Sequence, residues 1–259
     1  MKIVSWNVNG IRAAAEKGFL EYAASDSPDV LCVQETKAEP GQLSEAIKSP
    51  VDKSGAAYSS FWASAKKRGY SGVAIYTKKP PLDVSVLGSA DFDNEGRVLK
   101  ADFGSFVLIT AYFPNSQEGG ARLDYKLAFC AEILKLCRAL TEAGRHFVLC
   151  GDFNIAHRPI DLARPKENEG NPGYLPEERA WMDEFTSAGF VDTFRSLNGD
   201  VLNQYSWWSY RMNARARNVG WRLDYHCVDA AFLGAVRGAG IRQDVTGSDH
   251  CPVEIEIDI

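Results

Sequence analysis

Short apolar runs with almost no polar interruption recur along this chain, and they constrain its fold more than any other feature. Ile3-Val8, Val30-Val33, Val73-Tyr76, Val98-Phe103, Phe106-Phe113 and Phe147-Cys150 read as strands, with later candidates at Ser206-Ser209, Arg222-Val228 and Val253-Ile257. A strand apolar at consecutive positions must be covered on both faces. Helical patterns stand between them at Arg12-Ala24, Gly41-Lys48, Ala121-Thr141 and Pro176-Ala188. The last opens with Pro176, Glu177 and Glu178, a fixed φ followed by negative charge, which suits a helix N-terminus. Many strands with a few long helices predict a layered α/β fold. No repeat, low-complexity tract or linker interrupts residues 1–259, which are read as one domain.

Composition narrows the function classes. With 45% hydrophobic and 24% charged residues the chain can build a packed core and is not a disordered polymer. No apolar run approaches the roughly 20 residues that span a bilayer. Met1-Lys2-Ile3-Val4-Ser5-Trp6 lacks the pattern of a signal peptide, so a cytoplasmic protein with no membrane partner is expected. A net charge of −5 argues against a wholly basic nucleic-acid-binding surface, although one basic face can sit on an acidic body. None of the six cysteines forms a C-x-x-C pair. Cys130 and Cys137 fall in the buried stripe Leu123, Leu127, Cys130, Leu134, Cys137, so reduced, buried thiols are expected rather than a zinc site.

Polar groups gather where the apolar runs end. Asn7 and Asn9 lie two apart after the first run, Glu35 closes the second, and Asp152 and Asn154 follow Phe147-Cys150. Asp224 stands within Trp221-Tyr225, and Asp249-His250 precede the last run. Carboxylates and amides without thiols suit a hard cation such as Mg²⁺ or Mn²⁺, and a cation beside a histidine suits phosphoryl transfer. No P-loop, G-x-S-x-G elbow or H-E-x-x-H motif is present. Each residue also has a plainer reading: Asn7 and Asn9 as supports of the Asn9-Gly10 turn, His226 as a structural histidine, His146 and His157 as unassigned. Asn203-Leu223 tilts the balance toward nucleic acid. It holds Trp207, Trp208, Tyr210 and Trp221 with Arg211, Arg215, Arg217 and Arg222, and no Asp or Glu. Lys66-Lys67-Arg68, Arg158, Arg164 and Lys166 extend a candidate basic rim.

Eight motifs in order carry a resemblance: Ser5-Trp6-Asn7-Val8-Asn9-Gly10, Gln34-Glu35-Thr36-Lys37, Gly69-Tyr70-Ser71-Gly72-Val73, Tyr112-Phe113-Pro114-Asn115, Gly151-Asp152-Phe153-Asn154, Leu175-Pro176-Glu177-Glu178-Arg179, Trp221-Arg222-Leu223-Asp224 and Ser248-Asp249-His250. The chain resembles the exonuclease III family of apurinic/apyrimidinic (AP) endonucleases, in an archaeal-like form, within the endonuclease/exonuclease/phosphatase fold. The resemblance implies a four-layered α/β sandwich, two packed mixed β-sheets flanked by helices (DNase I-like). It implies a Mg²⁺-dependent phosphodiesterase, with Mn²⁺ as a substitute and no organic cofactor. Such an enzyme cuts double-stranded DNA 5′ to abasic sites, leaves a 3′-hydroxyl, trims blocked 3′ ends, and acts as a monomer.

Carried over residue by residue, Glu35 is the principal metal ligand, with Asn7 and Asp249 contributing directly or through water. Asp152 and Asn154 flank the attacking water and reach the metal, Asp152 being the favoured general base. Tyr112 meets the phosphate and leaving group, and His250, oriented by Asp224, binds a non-bridging phosphate oxygen. Asn115, Asn168 and Asn171 match phosphate contacts, with Lys66 and Arg122 as further DNA contacts. Trp207, Trp221 and Leu223 match a pocket for a flipped-out abasic sugar. Glu118 stands where some relatives insert an arginine, and Arg211 where they wedge a methionine, which implies altered retention of product DNA. The competing readings are a phosphatase acting on inositol lipids or a sphingomyelinase, and a catalytically dead binding scaffold.

Overall fold

A computed structural model describes residues 1–259. Its strands are β1 (Lys2–Asn7), β2 (Val30–Gln34), β3 (Ser59–Ala63), β4 (Val73–Thr77), β5 (Asp83–Val86), β6 (Val98–Asp102), β7 (Val107–Tyr112), β8 (Phe147–Asp152), β9 (Phe190–Asp192), β10 (Asp224–Asp229), β11 (Val236–Ile241) and β12 (Val253–Ile257). The helices are α1 (Ile11–Ala15), α2 (Phe19–Asp26), α3 (Glu45–Lys48), α4 (Ala90–Asp93), α5 (Leu123–Glu142), α6 (Pro176–Ser187) and α7 (Thr193–Asn198). They form two six-stranded mixed sheets, ordered β11-β12-β1-β2-β4-β3 and β5-β6-β7-β8-β10-β9.

The consecutive apolar positions have the cause expected of them. Ile3, Val30, Cys32 and Ile75 of one sheet meet Leu108, Val148, Cys150 and Val228 of the other in a shared core. The alternate residues face outward under helices: Val4, Leu31 and Tyr76 pack on α1 to α3, while Ile109, Leu149 and Cys227 pack on α5 and α6. The result is four layers: helices, sheet, sheet, helices. All six cysteines are buried and free.

Several boundaries differ from the sequence reading. The run Arg12-Ala24 splits into α1 and α2, because Gly18 adopts φ 103° and turns the chain between them. Gly41-Lys48 becomes a 3₁₀ turn at Pro40–Gln42 followed by α3. Ser206-Ser209 is not a strand; Trp207 makes only isolated bridges to Trp221 and His250. The edge strands β3, β5, β9 and β11 carry weak apolar patterns, and none of them stands out as a run in the sequence.

Strand direction places the site. β1 runs parallel to β2 and β7 parallel to β8, so Asn7, Tyr112 and Asp152 all end strands, in register Asn7 with Gln34 and Tyr112 with Asp152. β10 is antiparallel to β8, which sets its first residue, Asp224, opposite Asp152. β12 is antiparallel to β1, so Asp249 and His250, which precede it, return to that same edge. One end of the paired sheets collects every one of these side chains.

Candidate active site

The edge opens into a cavity of about 230 Å³, with Glu35, Asp152, Asp249 and His250 on its polar side and Trp207, Trp221 and Leu223 on its apolar side. Tyr112, Asn115 and Asn154 complete the wall. A larger groove, about 710 Å³, runs between α5 and α6 and shares no residue with this cleft.

Asp152, 1% exposed, is clasped from three directions. Its Oδ1 accepts the Asn154 backbone N–H at 2.8 Å, and Oδ2 accepts Asn7 Nδ2 at 2.8 Å and Asn154 Nδ2 at 3.1 Å. Asn154 takes φ 51°, which turns its amide back onto Asp152 instead of continuing the strand. Burial pushes the Asp152 carboxyl well above the ordinary carboxylate range; His250 opposes the rise, and the charges of Asp224 and Glu35 add to it. His250 Nδ1 lies 2.8 Å from Asp224 Oδ2, and Nε2 is 3.8 Å from Asp152 Oδ2. Burial alone lowers the His250 pKa, but Asp224 and Asp152 outweigh it and raise it above its ordinary value. An imidazolium held at Nδ1 therefore presents Nε2–H to the cavity at neutral pH.

Asn7 supports the Asn9-Gly10 turn, as one of its two expected roles has it, and does not offer a metal-ligand oxygen. Its oxygen accepts the Asn9 N–H at 3.0 Å, as a turn support, which aims its nitrogen at Glu35 Oε1 (2.9 Å) and Asp152. As oriented it ties the two carboxylates together by donating, rather than offering its oxygen to a cation. Glu35 follows β2 in a left-handed conformation, φ 53°, and Lys37 Nζ sits 2.7 Å from its Oε2. Burial alone raises the Glu35 pKa, but Lys37 and the Asn7 bond bring it below the ordinary value. Asp249 accepts Asn9 Nδ2 at 2.9 Å and Trp207 Nε1 at 3.1 Å. Asn9, expected only as a support of the Asn9-Gly10 turn, and Lys37, for which the sequence suggests no role, are joined by a hydrogen bond of 2.5 Å and belong to the site. The Asn9-Gly10 turn and the Gln34-Glu35-Thr36-Lys37 motif were the available signals.

Four carboxylates, Glu35, Asp152, Asp224 and Asp249, converge on two cationic side chains, His250 and Lys37. Asp152, Asp224 and His250 offer ligand atoms within 4.8 Å of one another, but the imidazole there is already bonded to Asp224. Glu35, Asp152 and Asp249 are the better donor set. They are hard oxygen ligands in a buried site with excess negative charge, which fits a divalent cation.

The other expected DNA contacts are scattered. Asn115 faces the cleft, its Nδ2 3.2 Å from Asn154 Oδ1. Asn168 and Asn171 bond each other at 3.0 Å on a neighbouring loop, outside the cavity. Arg211 is exposed beside them in a second hollow with Arg164 and Arg217, next to Met212, which is 80% exposed. Lys66 is exposed near the end of β3, and Glu118 is exposed on the turn after Gln117. Arg122 is committed elsewhere, to Glu95 and the Tyr70 hydroxyl. Two of the candidate arginines are already engaged within the protein: Arg222, 1% exposed, pairs with Asp161 and Asp192, and half-buried Arg215 donates to the carbonyls of Gln243, Val245 and Ser248. Trp208 is core, 2% exposed. His146 and His157 do have partners, Asp229 at 3.0 Å and Asp183 at 2.7 Å.

Residues 4–250 match the Endonuclease/Exonuclease/phosphatase family. An exodeoxyribonuclease of Bacillus subtilis is 43% identical over 261 aligned positions, covering 100% of both chains. The DNA repair nuclease APEX1 of Danio rerio is 43% identical, covering 98% of this chain and 81% of its own. A crystal structure of the AP endonuclease LMAP from Leishmania major superposes with a TM-score of 0.87 at 31% identity, covering 100% of this chain and 87% of that one.

Proposed function

The chain belongs to the endonuclease/exonuclease/phosphatase family, and from that premise we propose that it is a metal-dependent DNA repair phosphodiesterase that cuts duplex DNA 5′ to abasic sites, with 3′→5′ exonuclease and 3′-end trimming at the same site. The single observation that carries the reading is the pairing of a clasped Asp152 with an imidazolium held at Nδ1 by Asp224, in a cavity that has an aromatic wall.

The chain's residues divide the work as follows. Asp152, held in place by Asn7 and Asn154, takes the proton of the attacking water. Asn154 holds that carboxylate and the water in line. His250 Nε2 donates to a non-bridging phosphate oxygen and balances the charge that grows there. Tyr112, at the end of β7 and in register with Asp152, meets the phosphate from the cavity wall. Glu35, Asp152 and Asp249 would hold the cation, Mg²⁺ with Mn²⁺ as substitute, which supplies a Lewis acid for the phosphoryl oxygens. Trp207, Trp221 and Leu223 line a slot that takes a sugar without a base. Asn115, Asn168, Asn171, Lys66 and Arg211 grip the backbone around it, so binding falls as salt rises. The chain acts as one domain and a monomer. No helix is long and apolar enough to cross a membrane.

Cleavage of a duplex carrying one tetrahydrofuran abasic analogue tests this, in Mg²⁺ and in EDTA, with Glu35→Ala and His250→Ala beside the native chain. One Mg²⁺-dependent cut 5′ to the lesion, lost in both variants, is expected. Degradation of intact 3′ ends without that cut assigns the exonuclease as the principal activity, and no turnover of DNA overturns the proposal.

A further inference from the structure

Tyr112 is the last residue of β7, and beyond it the chain turns through Pro114 into the cleft wall. One residue holds it from behind. The Arg97 carbonyl accepts the Tyr112 N–H at 2.8 Å, the Arg97 Nη1 donates to the Tyr112 carbonyl at 2.9 Å, and the guanidinium lies 4.8 Å over the Tyr112 ring. We propose that Arg97 is a positioning residue for the reaction, a buried guanidinium clamp that fixes the Tyr112 ring and hydroxyl against the phosphate; this rests on the role given to Tyr112 above.

Arg97 is only 2% exposed, so it contacts no substrate itself. Two more of its donors anchor it: Nε to Glu95 at 2.6 Å and Nη2 to the Tyr70 hydroxyl at 3.0 Å. The same hydroxyl accepts Arg122 Nη1 at 2.7 Å, and Arg122 Nη2 reaches the other Glu95 oxygen at 2.8 Å. One carboxylate and one phenol thus lock two guanidiniums into a fixed frame. The frame needs Gly96, at φ 59°: a Cβ there would lie 2.5 to 2.7 Å from the backbone of Ala63, Ser64 and Ala65. Burying a guanidinium against one shared carboxylate costs more than an apolar side chain of its size. Stability alone does not account for it, whereas a rigid planar fork aimed at one ring and one carbonyl does. Tyr70 also follows the basic stretch Lys66-Lys67-Arg68 by one glycine, so the clamp ties a proposed DNA-contacting loop to the tyrosine in the cleft.

The test is a double-mutant cycle with Arg97→Lys, Tyr112→Phe and the pair, measuring kcat and KM on the abasic duplex and the melting temperature of each. Lysine keeps the charge and loses the fork. Arg97→Lys is expected to lower kcat about tenfold or more with KM within about twofold, since small displacements of a positioned group cost rate steeply. In the Tyr112→Phe background the same change should cost almost nothing, because there is no hydroxyl left to misplace. Tyr70→Phe, which removes the shared acceptor, should move kcat in the same direction by less. Full activity of Arg97→Lys, or a loss that multiplies with that of Tyr112→Phe, overturns the clamp. So does a loss of kcat that appears only in variants with lowered melting temperature. A silent Tyr112→Phe overturns instead the role of Tyr112, and the clamp's catalytic consequence with it.

Discussion

His250 shows how a side chain's work is set by what it cannot touch. Asp224 occupies Nδ1, and Asp224 is itself held as the first residue of β10, where the Ser206 hydroxyl accepts its backbone N–H at 3.0 Å. Nε2 is therefore the free end, and the carboxylates around it raise the ring's pKa. Replacing Asp224 by Asn keeps the shape and removes the largest of those charges. A group with a raised pKa stays protonated to higher pH, so removing Asp224 must bring its deprotonation down in pH. The Asp224→Asn variant is expected to lose roughly a hundredfold in kcat at neutral pH, on the scale of losing one aimed donor to a developing charge. The alkaline limb of kcat/KM should move toward lower pH. A pH–rate profile of native scale and shape would show that Asp224 does not act through His250. Neither partnership is visible in the linear chain: Asp224 and His250 lie 26 positions apart, and only their motifs marked them. Asn9 and Lys37 escaped because their roles depend on left-handed turns, φ 48° and 50°, which fold them back onto Asp249 and Glu35.

At the scale of elements, legibility followed burial. β1, β2, β4, β7 and β8 are covered on both faces, so their sequences are apolar at most consecutive positions and can be read directly. β5 and β11 are edge strands with one solvated face and few apolar residues, and nothing in their composition separates them from loops. In the segment Asn203-Leu223 the composition suits a nucleic-acid surface, yet Trp208 is core and Arg222 is a buried ion-pair residue, because a polar network roots this loop beneath the cleft. Asp161, fully buried, accepts Arg195 Nη2 and Arg222 Nε, each at 2.8 Å, and the Arg222 backbone N–H bonds the Asp161 carbonyl. Burial by itself would raise the Asp161 pKa, but Arg222 and Arg195 prevail and lower it from 3.8 to about 2. The folded state then binds fewer protons than the unfolded one across that window. Its contribution, about 2 kcal/mol, is present above the unfolded pKa and is lost as pH falls through the folded one. Urea unfolding from pH 7 down to pH 2 should show the native protein losing that increment between about pH 4 and 2. Asp161→Asn, already weaker at pH 7 by roughly 3 kcal/mol from its unpaired guanidiniums, should lack that acid increment. Parallel acid limbs in the two proteins would remove Asp161 from the account.

On the scale of the whole molecule, the site joins two halves. Asn7 and Glu35 come from one sheet and Asp152 and Tyr112 from the other, and the central strands β1 and β8 deliver two of them. The Asn7 bond to Asp152 is a bridge between the sheets at their open end. That same end concentrates buried negative charge, a cost the fold carries in order to keep ligands close together. A divalent cation bound by Glu35, Asp152 and Asp249 must relieve that cost and tie the sheets more firmly, so metal binding and global stability are linked. At a Mg²⁺ concentration 100 times its dissociation constant the linkage is worth about 2.7 kcal/mol, a rise of several degrees in melting temperature for a chain of this size. Because the Asp152 pKa is raised, the cation must also displace a fraction of a proton there, so Mg²⁺ added to a weakly buffered solution near neutrality should release acid. Glu35→Gln should blunt the thermal shift, and Asp152→Asn the proton release, with no DNA present in either measurement. A melting temperature indifferent to Mg²⁺ in the native protein would separate the charge cluster from metal binding. The excess negative charge would then be balanced by the His250 imidazolium and Lys37 alone.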